Sequence, residues 1–388
     1  MLKMTGHARL TRLSWSCALS CALGLSLTLG LAACDEAERV CEGTPGSICT
    51  VVGTGVSGLT EDGLAATDTE LYLPQDMTVG PDGNLYVLDW NNHRVRVVRD
   101  GVVETLIGTG SLGDAPDGPA LETTLNHPTH VAFSPSGELI LSAWHNSKVL
   151  RYDATTAEVE AICGTGARSF NGDGMTGTET QLDLPVATAF APDGRMYIAD
   201  QANQRIRMLG TDGMVTTIAG TGEQGYSGDG GPAIDAQINL PVSQSAPPAG
   251  RIAADKNGVL YLADTLNHVI RKIDTDGIIT TIAGTGSPGN GGEGEATSVA
   301  LDTPSDVAVD FEGNVYIADT YNSCVRKVGV DGQMTTVAGV CGTLGYEGDF
   351  GPAGKATLNR PYGVEVDSEG KLYIADTHNH VIRIVYPQ

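Results

Sequence analysis

The sequence predicts an all-β fold, a six-bladed β-propeller, and three observations lead to this prediction. A segment of about 55 residues recurs six times after residue 50. Each copy contains short apolar or alternating runs that end in Gly, Asp or Asn turns, as antiparallel strands do. The last copy lacks a fourth strand, which the start of the repeat region can supply. Four strands per unit, repeated six times and closed into a ring, make a propeller.

A glycine turn marks each copy and fixes the register of the repeats. The six turns begin at Gly53, Gly108, Gly164, Gly220, Gly284 and Gly339. The interval between the fourth and fifth turns is longer than the others, and it contains the Pro-, Ala- and Ser-rich insertion 243–250.

The strands are clearest in the fifth copy. Apolar runs at 306–310, 314–319 and 324–328 are followed by a fourth run at 333–339. Turns such as Asp82-Gly83 join the first and second strands, since Asp and Gly supply the positive φ that a tight hairpin needs. Each copy is therefore expected to form one four-stranded antiparallel blade.

The two ends of the repeat region predict how the ring closes. The last copy ends after the third strand, whereas residues 46–55 align position by position with 213–222, which contain a fourth strand. The N-terminal strand is therefore expected to complete the last blade and to remove the unpaired edges of an open array.

A longer motif gives the repeats a family resemblance. The sequence Tyr-Ile-Ala-Asp-Thr at 316–320, with Asn322 and Arg326, recurs in related form in the other copies, and Gly-Asp-Gly-Gly-Pro-Ala stands at 228–233. On these motifs the chain, over residues 46–388, resembles the NHL-repeat family of six-bladed β-propellers. Related propellers include lactonases and metal-dependent lyases of amidated peptide precursors, with metals in or over the central channel. The resemblance therefore permits catalysis without implying it.

Two charged positions of the motif disappear together in the second copy. The aspartate series is Asp89, Ala143, Asp200, Asp264, Asp319 and Asp376, and the arginine series is Arg96, Leu150, Arg207, Arg271, Arg326 and Arg383. Because loss of one partner of a buried pair is worse than loss of both, we expect each Asp to contact the Arg of its blade. By contrast, His378 and His380 vary between copies, so the repeat does not require either imidazole.

Each copy also carries one acidic residue in the glycine-rich loop. The six residues are Asp62, Asp117, Asp173, Asp229, Glu293 and Asp349. Calcium needs several oxygens at one point, whereas these residues are expected to be dispersed around the ring. They are interpreted as turn-forming residues.

The N-terminus has the pattern of an export signal. Residues 1–33 are basic and then apolar, and they end in Leu-Ala-Ala before Cys34, which resembles the lipobox of bacterial lipoproteins. The resemblance implies a lipoprotein signal peptide (1–33), lipid on Cys34 and a linker (34–45). The protein is then exported and lipid-anchored to a bacterial membrane, in the periplasm or at the cell surface. An uncleaved anchor and simple secretion remain the alternatives.

Net charge and cysteines restrict the partners and the covalent links. The formal charge of −24 becomes more negative when the basic signal is removed, which disfavours nucleic acid and anionic lipid surfaces. Membrane contact is expected only through the lipid, and we expect a monomer. An exported chain can form disulfides, for which the candidates are Cys41, Cys49, Cys324 and Cys341, whereas Cys163 is expected to be unpaired.

The channel mouth, where each innermost strand begins, is the place to look for chemistry. Alignment assigns to it Asp76, His130, Ala187, Arg251, Asp306 and Gly363. Asp76, His130 and Asp306 are a set that can hold a divalent cation or act on a small polar substrate, and Arg251 can meet a carboxylate. The alternative is that a water-filled mouth simply collects polar residues.

These observations favour a binding or scaffolding module at the bacterial cell envelope. The sequence contains no nucleophile elbow, zinc-protease helix or paired Cys-x-x-Cys motif. The expected partner is a protein or a small polar ligand, and no cofactor is required. The alternative is a metal-dependent hydrolase or lyase, lactonase-like or peptide-amidating-lyase-like, with its site at the channel mouth.

Overall fold

The computed structural model describes residues 43–243, 245 and 247–388. The predicted signal peptide, Cys34, Cys41 and most of the linker lie outside the described residues and stay predictions. Within the described ranges, no helix has the length and apolar character needed to cross a membrane.

The described residues form six antiparallel sheets, one for each repeat. The first strand is β1 (Ser47–Val52), and blade 1 follows with β2 (Leu64–Ala65), β3 (Asp76–Val79), β4 (Leu85–Asp89), β5 (Arg94–Arg99) and β6 (Val102–Ile107). Blade 2 has β7 (Gly118–Pro119), β8 (His130–Phe133), β9 (Leu139–Ala143), β10 (Lys148–Asp153) and β11 (Glu158–Cys163). Blade 3 has β12 (Met175–Thr176), β13 (Pro185–Phe190), β14 (Met196–Asp200), β15 (Arg205–Leu209) and β16 (Met214–Ala219).

The second half of the ring repeats this plan. Blade 4 has β17 (Ile252–Ala254), β18 (Leu260–Asp264), β19 (Val269–Ile273) and β20 (Ile279–Ala283). Blade 5 has β21 (Gly294–Glu295), β22 (Asp306–Val309), β23 (Val315–Asp319), β24 (Cys324–Val328) and β25 (Gln333–Ala338). Blade 6 has β26 (Gly351–Pro352), β27 (Gly363–Val366), β28 (Leu372–Asp376) and β29 (Val381–Val385), together with β1. In five blades a two-residue outer strand adds to the four predicted strands.

Short 3₁₀ helices occur in the loops. They are Ala66–Asp68, Trp90–Asn92, Trp144–Asn146, Gly177–Glu179, Gln201–Asn203, Ala233–Asp235, Thr265–Asn267, Ala296–Ser298, Thr320–Asn322, Ala353–Lys355 and Thr377–Asn379. Those that follow the second strand of a blade lie at the same end of the blade as the start of its first strand, because antiparallel strands alternate in direction. We call this end of the ring the mouth face.

The N-terminal strand closes the ring as predicted. Strand β1 pairs antiparallel with β29 on one side and with β26 on the other. Apolar side chains then fill the space between blades. Val52 and Ile382 of blade 6, for example, pack with Met77 and Val87 of blade 1. Blade-to-blade packing therefore continues around the ring without a free sheet face at the closure.

The predicted Asp–Arg contacts are present in all five blades that have both residues. The shortest nitrogen–oxygen distance is 3.5 Å in blades 1, 3 and 4, 3.3 Å in blade 5 and 3.6 Å in blade 6, and these side chains are almost completely buried. The Oδ1 atom of the same aspartate accepts a backbone N–H from the loop before the inner strand, as from Asp302 to Asp319 at 2.8 Å. The pair therefore holds the hairpin and this loop together.

Blade 2 keeps the hydrogen bond to the loop before its inner strand, although it lacks the Asp–Arg pair. Where the other blades use an aspartate, Ala143 cannot accept a hydrogen bond, and Oδ1 of Asn146 accepts the N–H of Asn126 at 2.9 Å instead. Joint replacement by Ala143 and Leu150 thus leaves no unpaired buried charge at these two positions.

The acidic loop residues are dispersed, one in each blade, and each has a partner in its own blade. Asp62, Asp173, Asp229 and Asp349 contact the buried arginine at 2.9, 3.0, 2.8 and 2.6 Å. Asp117 and Glu293 accept backbone N–H groups of β11 and β25 at 2.8 and 2.9 Å. These contacts agree with the interpretation that the six acidic residues stabilise the loops of the fold.

Candidate functional site

Arg251 lies at the centre of the channel mouth and is completely buried. Its Nη1 atom donates to Oδ2 of Asp306 at 3.2 Å, to Oδ1 of Asp76 at 3.4 Å and to the carbonyl oxygen of Tyr362 at 3.3 Å. Its Nη2 atom donates to the carbonyl oxygen of Thr129 at 2.8 Å. One side chain from blade 4 therefore binds blades 1, 2, 5 and 6 across the mouth.

Gly363 makes room for this guanidinium. A Cβ atom at position 363 would lie 3.1 Å from Nη1 of Arg251 and 2.5 Å from the carbonyl oxygen of Gln75. Of the predicted mouth residues, Gly363 is thus needed for space, and the small Ala187 is fully buried.

The two aspartates join neighbouring blades as well as binding Arg251. Oδ2 of Asp76 accepts the N–H of Val131 in blade 2 at 2.8 Å, and Oδ2 of Asp306 accepts the N–H of Val364 in blade 6 at 2.9 Å. Burial raises the pKa of Asp76 to about 6, although the Arg251 charge lowers it. Burial likewise raises the pKa of Asp306 against the opposing effect of Arg251.

His130 completes the cluster as a neutral imidazole. Burial and the Arg251 charge lower its pKa to about 3. Its Nδ1 atom accepts the N–H of Thr188 at 3.4 Å, which leaves the ring proton on Nε2, 3.9 Å from Oδ2 of Asp76. The imidazole therefore packs beside the carboxylate without a direct hydrogen bond.

Asp76 and Asp306, which the sequence left with His130 as a possible set for a divalent cation, are both paired with Arg251 in this structure. The guanidinium of Arg251 lies between the two carboxylates and already supplies their positive partner. Over the residues described, no group of three or more His, Cys, Asp and Glu side chains is arranged to hold a metal ion. The repeat alignment therefore placed Asp76, His130 and Asp306 near one another, and the two carboxylates form ion pairs with Arg251.

Glu365 is a channel residue that the sequence reasoning missed. Strand alternation puts it on the same side of β27 as Gly363, where the corresponding residues of the other blades are small: Thr78, Ala132, Ala189, Ala253 and Ala308. Burial, together with the charges of Asp76 and Asp306, raises the pKa of Glu365 to about 8. A single acid among small residues was the signal that could have found it.

A second missed position joins neighbouring blades through hydrogen-bond acceptors. In five of the six blades, the residue after the 3₁₀ turn accepts the backbone N–H of the residue before the next blade's loop proline. The acceptors are Nδ1 of His93, Oε1 of Gln204, Nδ1 of His268, Oγ of Ser323 and Nδ1 of His380, at 2.8 to 3.3 Å. The repeat therefore does not require an imidazole at His380, as expected, but it does use an acceptor there.

The residue in the middle of each 3₁₀ turn differs between blades and lies on the mouth face. The six are Asn91, His145, Ala202, Leu266, Tyr321 and His378. Leu266, Tyr321 and His378 are exposed. Tyr321 is covered on one side by the guanidinium of Arg360, whose central carbon lies 5.0 Å from the ring centre. Exposed aromatic, apolar and imidazole groups of blades 4, 5 and 6 thus lie on the mouth face.

Three of the four cysteines among the described residues are in disulfide bonds. Cys324, which begins β24, is bonded to Cys341, which follows β25. Cys49 is also disulfide-bonded, whereas its predicted partner Cys41 lies outside the described residues. Cys163 is a buried free thiol, and burial raises its pKa to about 12, so it is not a reactive nucleophile.

Two family models match the chain. The teneurin NHL domain matches residues 45–224, and the NHL repeat matches residues 301–328 and 358–385. Together they cover more than half of the chain.

This chain corresponds to only a small part of the length of the curated proteins that it resembles. Teneurin-m of Drosophila melanogaster is 27% identical over 88% of this chain, which spans 13% of teneurin-m. The chloroplastic protein SUPPRESSOR OF QUENCHING 1 of Arabidopsis thaliana is 29% identical over 74% of this chain, which spans 28% of that protein.

A solved structure, an auxiliary nutrient binding protein from Bacteroides thetaiotaomicron, covers 87% of this chain and 75% of its own with a TM-score of 0.63 and 17% identity. This likeness concerns the fold. With the family matches, the six sheets and the closure by β1, the chain belongs to the NHL-repeat family and is a six-bladed β-propeller.

Proposed function

We propose that this protein is a binding module that recognises a protein or a small polar ligand through its mouth face. The observation that carries the proposal is the division of the repeat positions. Those that build the blade are buried and nearly uniform around the ring, whereas the turn position on the mouth face carries five different residue types in six blades and is exposed in blades 4, 5 and 6. Variation at an exposed position is where specificity can be encoded without cost to the fold.

The internal contacts of the channel mouth favour ligand binding on the outer surface of the mouth face rather than inside the ring. Arg251 joins five of the six blades and consumes both mouth carboxylates in internal ion pairs. A ligand therefore meets the turn residues Leu266, Tyr321 and His378, with Arg360 beside Tyr321, before it meets any channel residue. Aromatic and Arg side chains are the types that most often dominate binding energy.

Location at the cell envelope is part of the proposal. Lipid on Cys34 would tether the propeller through the short linker 34–45. The nutrient-binding description of the Bacteroides protein is compatible with a ligand-binding role in such a place. The alternative of a hydrolase or lyase at Asp76, His130 and Asp306 is not favoured, because Arg251 fills the position between the acids.

The test compares a triple variant and a double variant of the full-length chain. Leu266→Ser, Tyr321→Ser and His378→Ser together alter the mouth face, whereas Phe311→Ser and Val330→Ser alter exposed residues in the hairpins at the opposite end of blade 5, which are 65% and 75% exposed. Affinity capture from solubilised membranes and thermal shifts with a metabolite panel are measured for both. Loss of a partner or ligand only in the mouth-face variant supports the proposal, and equal retention or equal loss in both overturns it.

A further inference from the structure

Small side chains line the channel beyond the mouth. The innermost strands of the six blades contact one another around the ring, and two residues after the mouth position they carry Thr78, Ala132, Ala189, Ala253, Ala308 and Glu365. At the mouth, Asp76 and Arg251 are buried. Two residues further along the strands, Ala132, Ala253 and Glu365 are partly exposed. Solvent therefore enters the channel from the end opposite the mouth face and reaches Glu365 without passing Arg251.

We propose that the channel binds a small primary alkylammonium ion whose charged group contacts Glu365. None of the residues that the structure describes donates a hydrogen bond to the carboxyl group of Glu365 or forms an ion pair with it. Asp76 and Asp306 are close enough to act on this carboxyl electrostatically, and they share the single guanidinium of Arg251. Three carboxyl groups thus face one cation, and a monocation beside Glu365 would supply the missing positive partner.

The lining of the channel favours an organic ion over a metal ion. At the level of Glu365, the other side chains are the hydroxyl-bearing Thr78 and four alanines. A metal ion needs several ligand atoms at one point, and among the described residues no group of three or more His, Cys, Asp and Glu side chains is arranged to hold one. An alkylammonium ion needs fewer acceptors, and its carbon chain can pack against the alanine methyl groups, as the stem of a lysine packs on apolar surface.

The end of the channel opposite the mouth face is acidic. The residues that follow the innermost strands of blades 4, 5 and 6 are Asp255, Asp310 and Asp367. Each accepts backbone N–H groups of its own turn, as Asp255 accepts that of Val259 at 2.9 Å, which holds the carboxylates at this end. Lys327 lies 4.0 Å from Asp310 and offsets one of the three charges. A cleft lined mainly by negative charge concentrates cations, so an ammonium ion is attracted toward Glu365 from this side.

This site is separate from the ligand of the mouth face. The contacts of Arg251 close the channel toward the mouth face, but they do not obstruct an ion that enters from the other end. The proposal therefore does not depend on the mouth-face ligand, and the two can be tested independently.

The experiment titrates the full-length protein with butylammonium chloride at pH 8.5. Because the pKa of Glu365 is about 8, its carboxyl group is largely ionised at this pH, whereas an amine with a pKa near that of lysine, about 10.4, keeps its charge. Calorimetry should give one ion per chain. Glu365→Gln should bind at least about tenfold more weakly, since a hydrogen bond to a charged group is worth about a factor of ten or more. Glu369→Gln, an exposed change four residues away, should bind like the native chain.

Two further variants separate this site from the mouth face and from effects on folding. Ala132→Leu narrows the channel while keeping Glu365, and it should also weaken binding. The triple mouth-face variant Leu266→Ser, Tyr321→Ser and His378→Ser should bind butylammonium normally. Urea unfolding confirms that each variant is folded.

The result that supports the proposal is binding that is lost in Glu365→Gln and Ala132→Leu and kept in the other variants. Four results would each overturn it: no binding by the native chain, unchanged affinity in Glu365→Gln, loss of binding in the mouth-face variant, or equally effective competition by sodium chloride. The last result would indicate an ion atmosphere rather than a site for an alkylammonium ion.

Discussion

Nη1 of Arg251 in blade 4 and Oδ2 of Asp306 in blade 5 form a hydrogen-bonded ion pair of 3.2 Å at the centre of the ring. Neither side chain is more than 5% exposed. Because Arg251 also binds Asp76 of blade 1, the pair belongs to a network that holds together blades far apart in sequence. Sequence positions that were candidates for chemistry thus hold the fold together.

Replacement of Arg251 by Met should destabilise the propeller strongly. Two buried carboxylates would lose their cation, and breaking a buried pair in this way costs about 3–5 kcal/mol. Without Arg251 the folded-state pKa values of both acids would rise further above their unfolded values, so the loss should be smallest near pH 4 and should grow as the pH rises. Urea unfolding from pH 4 to 8 measures it. Asp306→Asn in the Arg251→Met background should recover part of the loss, and native-like stability of Arg251→Met at pH 8 would contradict the network.

The contribution of the Asp319–Arg326 pair to stability can be tested by introducing the two residues that blade 2 has at these positions, Ala and Leu. Arg326→Leu alone leaves Asp319 buried without its cation and should cost about 3–5 kcal/mol. Adding Asp319→Ala reproduces Ala143 and Leu150, and the double variant should be less destabilised than the sum of the single variants. A coupling energy of about 0.5–3 kcal/mol is expected in a denaturant double-mutant cycle. Strict additivity would show that the contact does not stabilise the blade.

The architecture was predictable because the turn and strand pattern is written six times. The strands predicted at 306–310 and 314–319 are observed as Asp306–Val309 and Val315–Asp319, and the closure by β1 follows from one alignment. Repetition also revealed the Asp–Arg contact, since both residues change together in blade 2.

The site was only half predictable, because a repeat alignment compares equivalent positions and not the length or direction of side chains. It placed Arg251 and Asp306 at the mouth but did not show that a long guanidinium reaches across the channel. The acceptor position was missed because different residue types, such as His93 and Gln204, accept the equivalent backbone N–H of the next blade.

The histidine acceptors should give the protein an acid-sensitive component. Burial, aided by the charge of His127, lowers the pKa of His93 to about 4, below the ordinary value of about 6.5. The unfolded chain then binds more protons between these values, so the contribution of His93 to stability is full above pH 6.5 and is lost as the pH falls toward 4. His93→Gln keeps an acceptor, as Gln204 does in blade 3, but does not titrate. The two proteins should be similarly stable at pH 7.5, and the variant should become the more stable one at pH 4.5; parallel urea-unfolding curves across this range would contradict the role of His93.

Glu365 should make the protein less stable at high pH, which is the opposite pH dependence to that of His93. Its pKa in the folded protein, about 8, lies above the ordinary value of 4.5 because burial and the channel carboxylates disfavour its charge. Its neutral form is therefore fully compatible with folding below pH 4.5, and stability is lost as the pH rises through 8, when the carboxyl must ionise inside the channel. Glu365→Gln removes this loss, so the variant should gain stability over the native chain from pH 5 to 9. Glu369→Gln, an exposed change in the turn between β27 and β28, is the control and should show no such gain. An equal response of both variants would mean that Glu365 is not confined in the channel.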